Sequence, residues 1–256
     1  MPSVFHRTGM AAAKAAADPS TLIDEANLAG QTRHFTVYVD PALGPDGSAD
    51  AQAVLAACEA DYAKVSGYFN ELAAGPFTVV LFSNPGGAYH DTCAATDLFC
   101  DAKTDPAGGD YSEFLNVAEF VEVFEAMQAA GWDCGKSNGE GLSRVLATEA
   151  YPSELDGFST AAAWLDSERH DFVDRNDSSD TNPEANGCSV LFLNWMRFQL
   201  NHPWDQIIAA AAPTLGETYK KLTGQGDGKA EFEKLIDAHY PKGRPSGLTT
   251  DNPFPL

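Results

Sequence analysis

The residues best suited to chemistry lie in one apolar stretch, YSEFLNVAEFVEVFEAMQAA, which starts at Tyr111 and contains no Lys or Arg. Its carboxylates are Glu113, Glu119, Glu122 and Glu125. At about 100° per residue, the apolar side chains of this stretch would surround nearly the whole axis of a helix. We therefore predict a helix over residues 111 to 130 that lies in the interior, with Glu119 and Glu122 as neighbours on one side.

Carboxylates in such a helix can serve as general acids, general bases or metal ligands. Removing a carboxylate from water costs several kcal/mol unless it meets a cation, hydrogen-bond donors or a metal ion, or takes up a proton. The candidate cations on later segments are Arg144, Arg169 and Arg197. Three interpretations stay open, namely a buried ion-pair network, a catalytic or ligand-binding cluster, and exposure of one helix edge to solvent.

A second group of polar residues follows in SNGEGLSRVLATEA. Glycines flank Glu140, and Arg144 follows it by one helical turn. This spacing favours an intrahelical salt bridge. The glycines also allow close backbone approach, which would let Glu140 point back at the first helix.

Together these segments resemble gluzincin metallopeptidases, in which a helix bearing H-E-x-x-H precedes a helix that supplies a glutamate ligand. Residues 118 to 122, AEFVE, would lie over that motif. The resemblance implies that Glu119 matches the general base and Glu140 the third ligand. It also implies that His90, at the end of GGAYH, lies near the helix if its strand borders the cleft, as the edge strand does in zincins.

Ala118 and Glu122 stand where the family has its zinc-binding histidines. The resemblance therefore implies a zincin-like non-peptidase that binds a small molecule, glycan or peptide in the former active-site cleft. The alternative is a hydrolase, metal-assisted or using carboxylates alone, with Glu119 as general base. Whether the protein is an enzyme stays open at this stage.

The chain also resembles a group of uncharacterised bacterial proteins that share an E-x-x-E helix, the segment GEGLSR and a helix GCxxLFLN near residues 187 to 194. This likeness spans most of residues 60 to 240 and implies no known activity.

A divalent metal ion is the candidate cofactor. Glu122 and Glu140 are its first candidate ligands, although two carboxylates alone bind zinc weakly. The loop DFVDRNDSSDTNPEANG is the second candidate, because Asp174, Asp177 and Asp180 carry the hard oxygen donors that Ca²⁺ prefers. The loop lacks EF-hand spacing, so a solvated acidic loop is the alternative.

The elements that must position these residues form an α+β pattern. RHFTVYVD, near Gln31, and PFTVVLF, from Pro76, predict strands, and residues 86 to 101 predict one or two short strands. A long helix lies between the first two strands, with Ser48 or Asp50 as its cap. Further helices are predicted at 138 to 150, 157 to 168, 188 to 200, 204 to 211, 214 to 222 and 227 to 239.

We thus predict a small N-terminal β-sheet with one long helix, followed by a mostly helical, zincin-like C-terminal part. Residues 31 to 240 form one domain in this prediction. Residues 1 to 30 are an N-terminal extension, and residues 241 to 256, rich in Pro and Gly, are an irregular C-terminal tail.

Composition limits the partners. The formal net charge of −21, from 37 acidic and 16 basic residues, repels nucleic acid and anionic lipid, so we expect no nucleic-acid partner. No stretch has the roughly 18 uninterrupted apolar residues of a membrane span, and the N-terminal residues lack the apolar run of a signal peptide. We expect a soluble protein without a membrane partner, cytoplasmic by default.

The five cysteines leave the expected cytoplasmic location open, because some of them could form disulfides. Cys93 and Cys100 flank a turn-like segment in which a hairpin could bring them within bridging distance. Cys134 and Cys188 lie beside apolar helical patterns, where a buried free thiol is equally expected.

Overall fold

The computed structural model of the protein describes residues 19–83, 87–102, 109–154, 158–178 and 182–248. Its strands are β1 Asn27–Gln31, β2 Phe35–Val39, β3 Phe77–Phe82, β4 Ala88–Tyr89 and β5 Asp97–Asp101. Its α-helices are α1 Pro19–Glu25, α2 Gly44–Tyr68, α3 Tyr111–Gln128, α4 Ser137–Ala150, α5 Ala161–Leu165, α6 Pro183–Asn194, α7 Trp204–Ala209, α8 Leu215–Thr223 and α9 Gly228–His239. This order confirms the α+β prediction.

The strands form one mixed sheet in the order β1-β2-β3-β5-β4. The central pairs β2/β3 and β3/β5 are parallel, and the outer pairs β1/β2 and β4/β5 are antiparallel. Strand β3 is apolar on both faces because both faces are covered. Helices α2 and α3 pack on one face, while Leu22 and Ile23 of α1 cover Val80 and Phe99 on the other.

Helix α3 lies between the sheet and the helical part of the molecule, as its apolar circumference predicts. Phe120 packs against Phe35 and Phe77 of the sheet, with ring centroids 5.7 and 5.8 Å apart. Its far side packs on α4, which in turn packs on α6. The glutamates of α3 are therefore carried into the interior.

Three predicted helices have other bounds in the structure. Helix α5 covers only Ala161–Leu165 of the predicted residues 157 to 168. Helix α2 starts at Gly44 rather than at a Ser48 or Asp50 cap, because a 3₁₀ turn capped by the Asp40 carboxylate leads straight into it. Helix α6 starts earlier than predicted because the Asn182 side chain accepts hydrogen bonds from the first free N–H groups of the helix. The chain then continues as a π-helical turn, Trp195–Gln199.

Strand β1 shows that the sheet reaches into the predicted N-terminal extension, since Asn27 already pairs with Val39. The pairing shifts register between Leu28 and Gly30, which marks a bulge. Among the described helices, none has the length and apolar character needed to cross a bilayer.

A contact between a histidine and a carboxylate joins the start of β2 to α2. His34 contacts Glu59 twice, through its backbone N–H at 2.7 Å and its ring Nδ1 at 2.8 Å. Burial opposes ionisation of Glu59, but hydrogen bonds from Thr32 and from His34 outweigh it and lower the pKa of Glu59 to about 2. The carboxylate therefore stabilises the folded state in its charged form.

We expect Glu59→Gln to lower the free energy of unfolding by about 1 kcal/mol near neutral pH, a modest value because the carboxylate is 37% exposed. The pKa of Glu59 in the folded protein lies below its ordinary value of 4.5, so this stabilisation is present above pH 4.5 and is lost as the pH falls toward 2. Urea unfolding of both proteins should show a difference that narrows from neutral pH to about pH 3. If the difference in unfolding free energy between wild type and Glu59→Gln stayed the same down to about pH 3, the lowered pKa of Glu59 would be contradicted.

Candidate functional site

The carboxylates of α3 are buried, as the sequence predicts for an interior helix. Glu119 and Glu122 are each 2% exposed, and Glu125 is fully buried. Glu113, near the start of the helix, is 8% exposed. One turn separates Glu119 from Glu122, so both carboxylates meet the same neighbour.

That neighbour is His90, which directly follows the edge strand β4. Side chains alternate along a strand, so Tyr89 lies on the α1 face of the sheet and His90 on the α3 face. Its Nδ1 lies 3.2 Å from Glu119 Oε2, and its Nε2 lies 3.4 Å from Glu122 Oε2. The imidazole, 2% exposed, thus lies between two buried carboxylates.

A sulfur atom completes the group. Cys134, in the loop between α3 and α4, places its Sγ 3.7 Å from His90 Nε2. Cys134 is bonded to Cys93 in a disulfide that spans 41 residues. The Cys93–Cys100 pairing that the sequence left open is therefore not the one formed. Cys100 instead lies buried in β5, where burial, followed by the nearby Glu119 carboxylate, raises the pKa of its thiol well above the usual value.

Within the described ranges, one group of three His, Cys, Asp or Glu side chains brings potential metal-ligating atoms together, namely His90, Glu122 and Cys134, whose sulfur is in the disulfide. Their ligand atoms lie within 4.8 Å of one another. Below, these three residues and Glu119 are called the imidazole cluster. Sequence analysis missed Cys134 because nothing local in the chain indicates its distance from His90.

Glu140, expected as the third ligand, lies beside the imidazole cluster and has other contacts. Its Oε1 accepts a hydrogen bond from the Gly135 N–H at 3.1 Å, and its Oε2 lies 3.4 Å from Arg144 Nη2. The salt bridge predicted from their spacing is thus present, with Arg144 only 1% exposed. Glu140 fixes the residue that follows Cys134, and therefore positions the sulfur.

Helix α4 packs closely on α3, with small residues at the point nearest the carboxylates. The Ser143 hydroxyl lies 3.5 Å from Glu122 Oε1 and 3.2 Å from the Glu140 carbonyl oxygen. Gly139 leaves room for the Glu125 carboxylate, since an added Cβ would lie 2.5 Å from Glu125 Oε2. The glycines beside Glu140 do permit the close approach that the sequence suggested.

Arg169, expected to support the cluster, does not contact it. Its Nε donates to the Leu165 carbonyl, its Nη1 to Asp237 at 2.9 Å and its Nη2 to the Tyr240 carbonyl. Burial lowers the pKa of Arg169, although the charge of Asp237 acts in the opposite direction. Its donors tie the end of α9 to the segment after α5, so its role is structural.

The acidic loop does not bring metal ligands together in the part of the chain described here. Asp177 pairs with Arg175 at 3.4 Å, and the Asp174 backbone N–H donates to Asp171. Asp171 in turn binds Lys229 at 2.6 Å. Asp180 lies outside the described residues. Among the described residues, neither Asp174 nor Asp177 belongs to a group with metal-ligand geometry, and the calcium interpretation of the loop stays a prediction.

Two surface pockets lie away from the imidazole cluster. One is lined by Trp195 and Tyr219, and the other by Asn27 and Ser48. The side chains of the cluster are themselves buried, with His90, Glu119 and Glu122 each 2% exposed and Cys134 7% exposed.

No protein-family model, no curated protein and no solved structure significantly matches the chain. An imidazole held between carboxylates can bind a metal ion through one nitrogen, or can carry a second proton and form two ion pairs.

We expect Gly139→Ala to destabilise the protein by about 1–3 kcal/mol, because the new methyl group would collide with the Asp133 carbonyl oxygen and with the Glu125 carboxylate. Urea unfolding measures the decrease in the free energy of unfolding. Gly226→Ala is the matched control, because its Cβ would meet nothing within 4 Å. Equal stability of the two variants would show that α3 and α4 are not packed as described.

Proposed function

We propose that this protein is a zincin-like non-peptidase that binds one divalent metal ion between His90 and Glu122. The observation that carries the proposal is the pair of contacts made by the imidazole. Its Nε2 faces Glu122 at 3.4 Å while its Nδ1 faces Glu119 at 3.2 Å. A metal-binding histidine nearly always donates its second ring N–H to a carboxylate, which is the part that Glu119 would take here.

The distance between the two proposed ligand atoms fits a tetrahedral site. Zinc lies about 2.0–2.2 Å from imidazole nitrogen and carboxylate oxygen, so two such ligands at the tetrahedral angle are about 3.4 Å apart. The His90 Nε2 to Glu122 Oε2 distance is 3.4 Å. A cation at this point would also offset the burial of two carboxylates in a site with little access to water.

Several features support a binding role rather than peptide cleavage. Ala118, which stands where gluzincins have their first histidine, is fully buried and has no ligating atom. Glu119 faces the imidazole, and both residues are 2% exposed. A peptide bond would have to approach a metal-activated water in an open coordination position, and the burial of these side chains favours an ion as the ligand.

A metal-assisted hydrolase with Glu119 as base is the second candidate, because this carboxylate lies 3.2 Å from the imidazole that would hold the metal. The two proposals differ in what Glu119→Gln does. In the hydrolase, this change abolishes turnover of a small ester or peptide while metal stays bound. In the binding protein, there is no turnover to lose.

We expect Glu122→Gln and His90→Ala to abolish stoichiometric binding of Zn²⁺ in calorimetric titration of chelator-treated protein. Glu119→Gln should weaken it by about 10- to 100-fold, as loss of a carboxylate that orients a ligating histidine does. Glu59→Gln is the matched control, since it removes the carboxylate of another imidazole pair, located near the surface. Circular dichroism of each variant verifies folding.

Two results would contradict the proposal. If the wild-type protein bound neither Zn²⁺ nor Mn²⁺, the proposed metal site would be ruled out. Binding that survives both His90→Ala and Glu122→Gln would place the metal elsewhere in the chain. In either case the imidazole between the two carboxylates would be an internal ion pair.

A further inference from the structure

In the imidazole cluster, the disulfide sulfur of Cys134 lies where a metal ligand could lie. Cys134 Sγ lies 3.7 Å from His90 Nε2. With zinc about 2.3 Å from a thiolate and 2.0–2.1 Å from an imidazole nitrogen, the two ligands of a tetrahedral site are about 3.6 Å apart. The sulfur therefore occupies a ligand position, although in the disulfide it carries no negative charge for a metal.

We propose that reduction of the Cys93–Cys134 disulfide releases Cys134 as a third protein ligand and converts a weak His90–Glu122 site into a tight zinc site. The inference rests on the metal site proposed above and adds its regulation. The fourth position is left to water, which matches the three-ligand arrangement of zinc sites with an open position.

The step is an ordinary thiol–disulfide exchange, driven by a dithiol reductant. One thiolate of the reductant attacks Cys93 Sγ, the S–S bond breaks, and Cys134 leaves as a thiolate with the bonding electron pair. The second thiol of the reductant then displaces Cys93 as a thiol and closes the reductant into a cyclic disulfide. The protein gains two electrons, and the zinc ion takes the Cys134 thiolate.

Burial selects which sulfur is attacked and which becomes the ligand. Cys93 lies in the loop after β4 and is partly exposed, between the exposed residues Thr92 and Ala94. Cys134 is only 7% exposed and faces the imidazole. A reductant therefore reaches Cys93 first, and Cys134 is the leaving group beside the metal.

The loop that carries Cys134 is held in place by contacts other than the disulfide. Gly135 N–H donates to Glu140, Trp132 Nε1 donates to the Ile208 carbonyl at 3.2 Å, and Asn138 Nδ2 donates to the Gly131 carbonyl at 2.8 Å. These hydrogen bonds keep the sulfur near His90 after the S–S bond is broken. The reduced site is thus largely pre-formed.

Sulfur also sets which metals respond to reduction. A thiolate favours Zn²⁺ and Co²⁺ far more than Mn²⁺ or Mg²⁺, which prefer oxygen ligands. Reduction should therefore raise the affinity for zinc and cobalt and leave that for manganese nearly unchanged. This difference separates a new ligand from a general loosening of the fold.

The test uses Cys93→Ala, which leaves Cys134 as a thiol without any reductant, beside Cys134→Ser and oxidised wild type. Each protein is titrated anaerobically with Co²⁺, and then with Zn²⁺ in competition. We expect Cys93→Ala to show sulfur-to-cobalt charge-transfer absorption and to bind zinc on the order of tenfold or more tighter than oxidised wild type. Cys134→Ser and oxidised wild type should lack the band.

Reduced wild type, freed of reductant by gel filtration, should behave as Cys93→Ala does. A thiol assay under denaturing conditions checks each redox state, since three of the five cysteines are free in the disulfide form. Thermal unfolding of every variant verifies that it is folded. His90→Ala in the Cys93→Ala background should lose the tight site.

The outcomes separate this inference from the proposed function. Equal zinc affinity in oxidised wild type and Cys93→Ala, without a sulfur-to-cobalt band, would overturn the thiol-dependent site and leave the His90–Glu122 site standing. No metal binding in any protein or redox state would overturn both. A charge-transfer band that survives Cys134→Ser in the Cys93→Ala background would assign the sulfur to another cysteine and overturn this inference alone.

Discussion

The structure depends on how helix α3 carries carboxylates into the interior. An isolated buried carboxylate costs several kcal/mol, which is a large share of the stability of a protein of this size. The burial of α3 is nevertheless favourable because its phenylalanines join the sheet to the helical part of the molecule. The polar contacts around Glu119 and Glu122 are therefore a condition of the fold as well as a candidate site.

This condition explains why chemistry-bearing residues come from distant parts of the chain. The edge strand β4 supplies His90, the loop before α4 supplies Cys134, and α4 supplies Glu140, whose carboxylate holds that loop. The disulfide joins the loop after β4 to the loop before α4. The edge of the sheet and the α3–α4 pair are thus fixed relative to each other at the point where the carboxylates are buried.

Local pattern was enough to predict most of the elements after β1 and the interior position of α3, because apolar periodicity reflects burial directly, but α1 and β1 were missed. The Glu140–Arg144 pair was also predictable, since one helical turn separates the two residues. Contacts between segments that are distant in sequence could not be predicted in this way. Cys93 lies nearer in sequence to Cys100 than to Cys134, and only the tertiary arrangement shows which sulfur is in reach.

Arg169 also shows that the sequence does not predict contacts between distant segments. Its charge made it a reasonable partner for the buried glutamates, yet its guanidinium reaches Asp237 and two backbone carbonyls. The sequence indicates that a cation is needed but not where the chain will place it. His90 was anticipated only through a resemblance to zincins, which supplied a strand-to-helix proximity that periodicity could not.

The two edges of the described sheet bear on how copies of this protein behave when crowded together. A long, straight edge strand offers unpaired N–H and C=O groups to a second molecule and so invites intermolecular sheet extension. Here β4 is only two residues long, and β1 is interrupted by its bulge between Leu28 and Gly30. Both edges are poor templates, so the exposed Leu28, 61% accessible, lies on a strand that a neighbouring copy cannot easily extend.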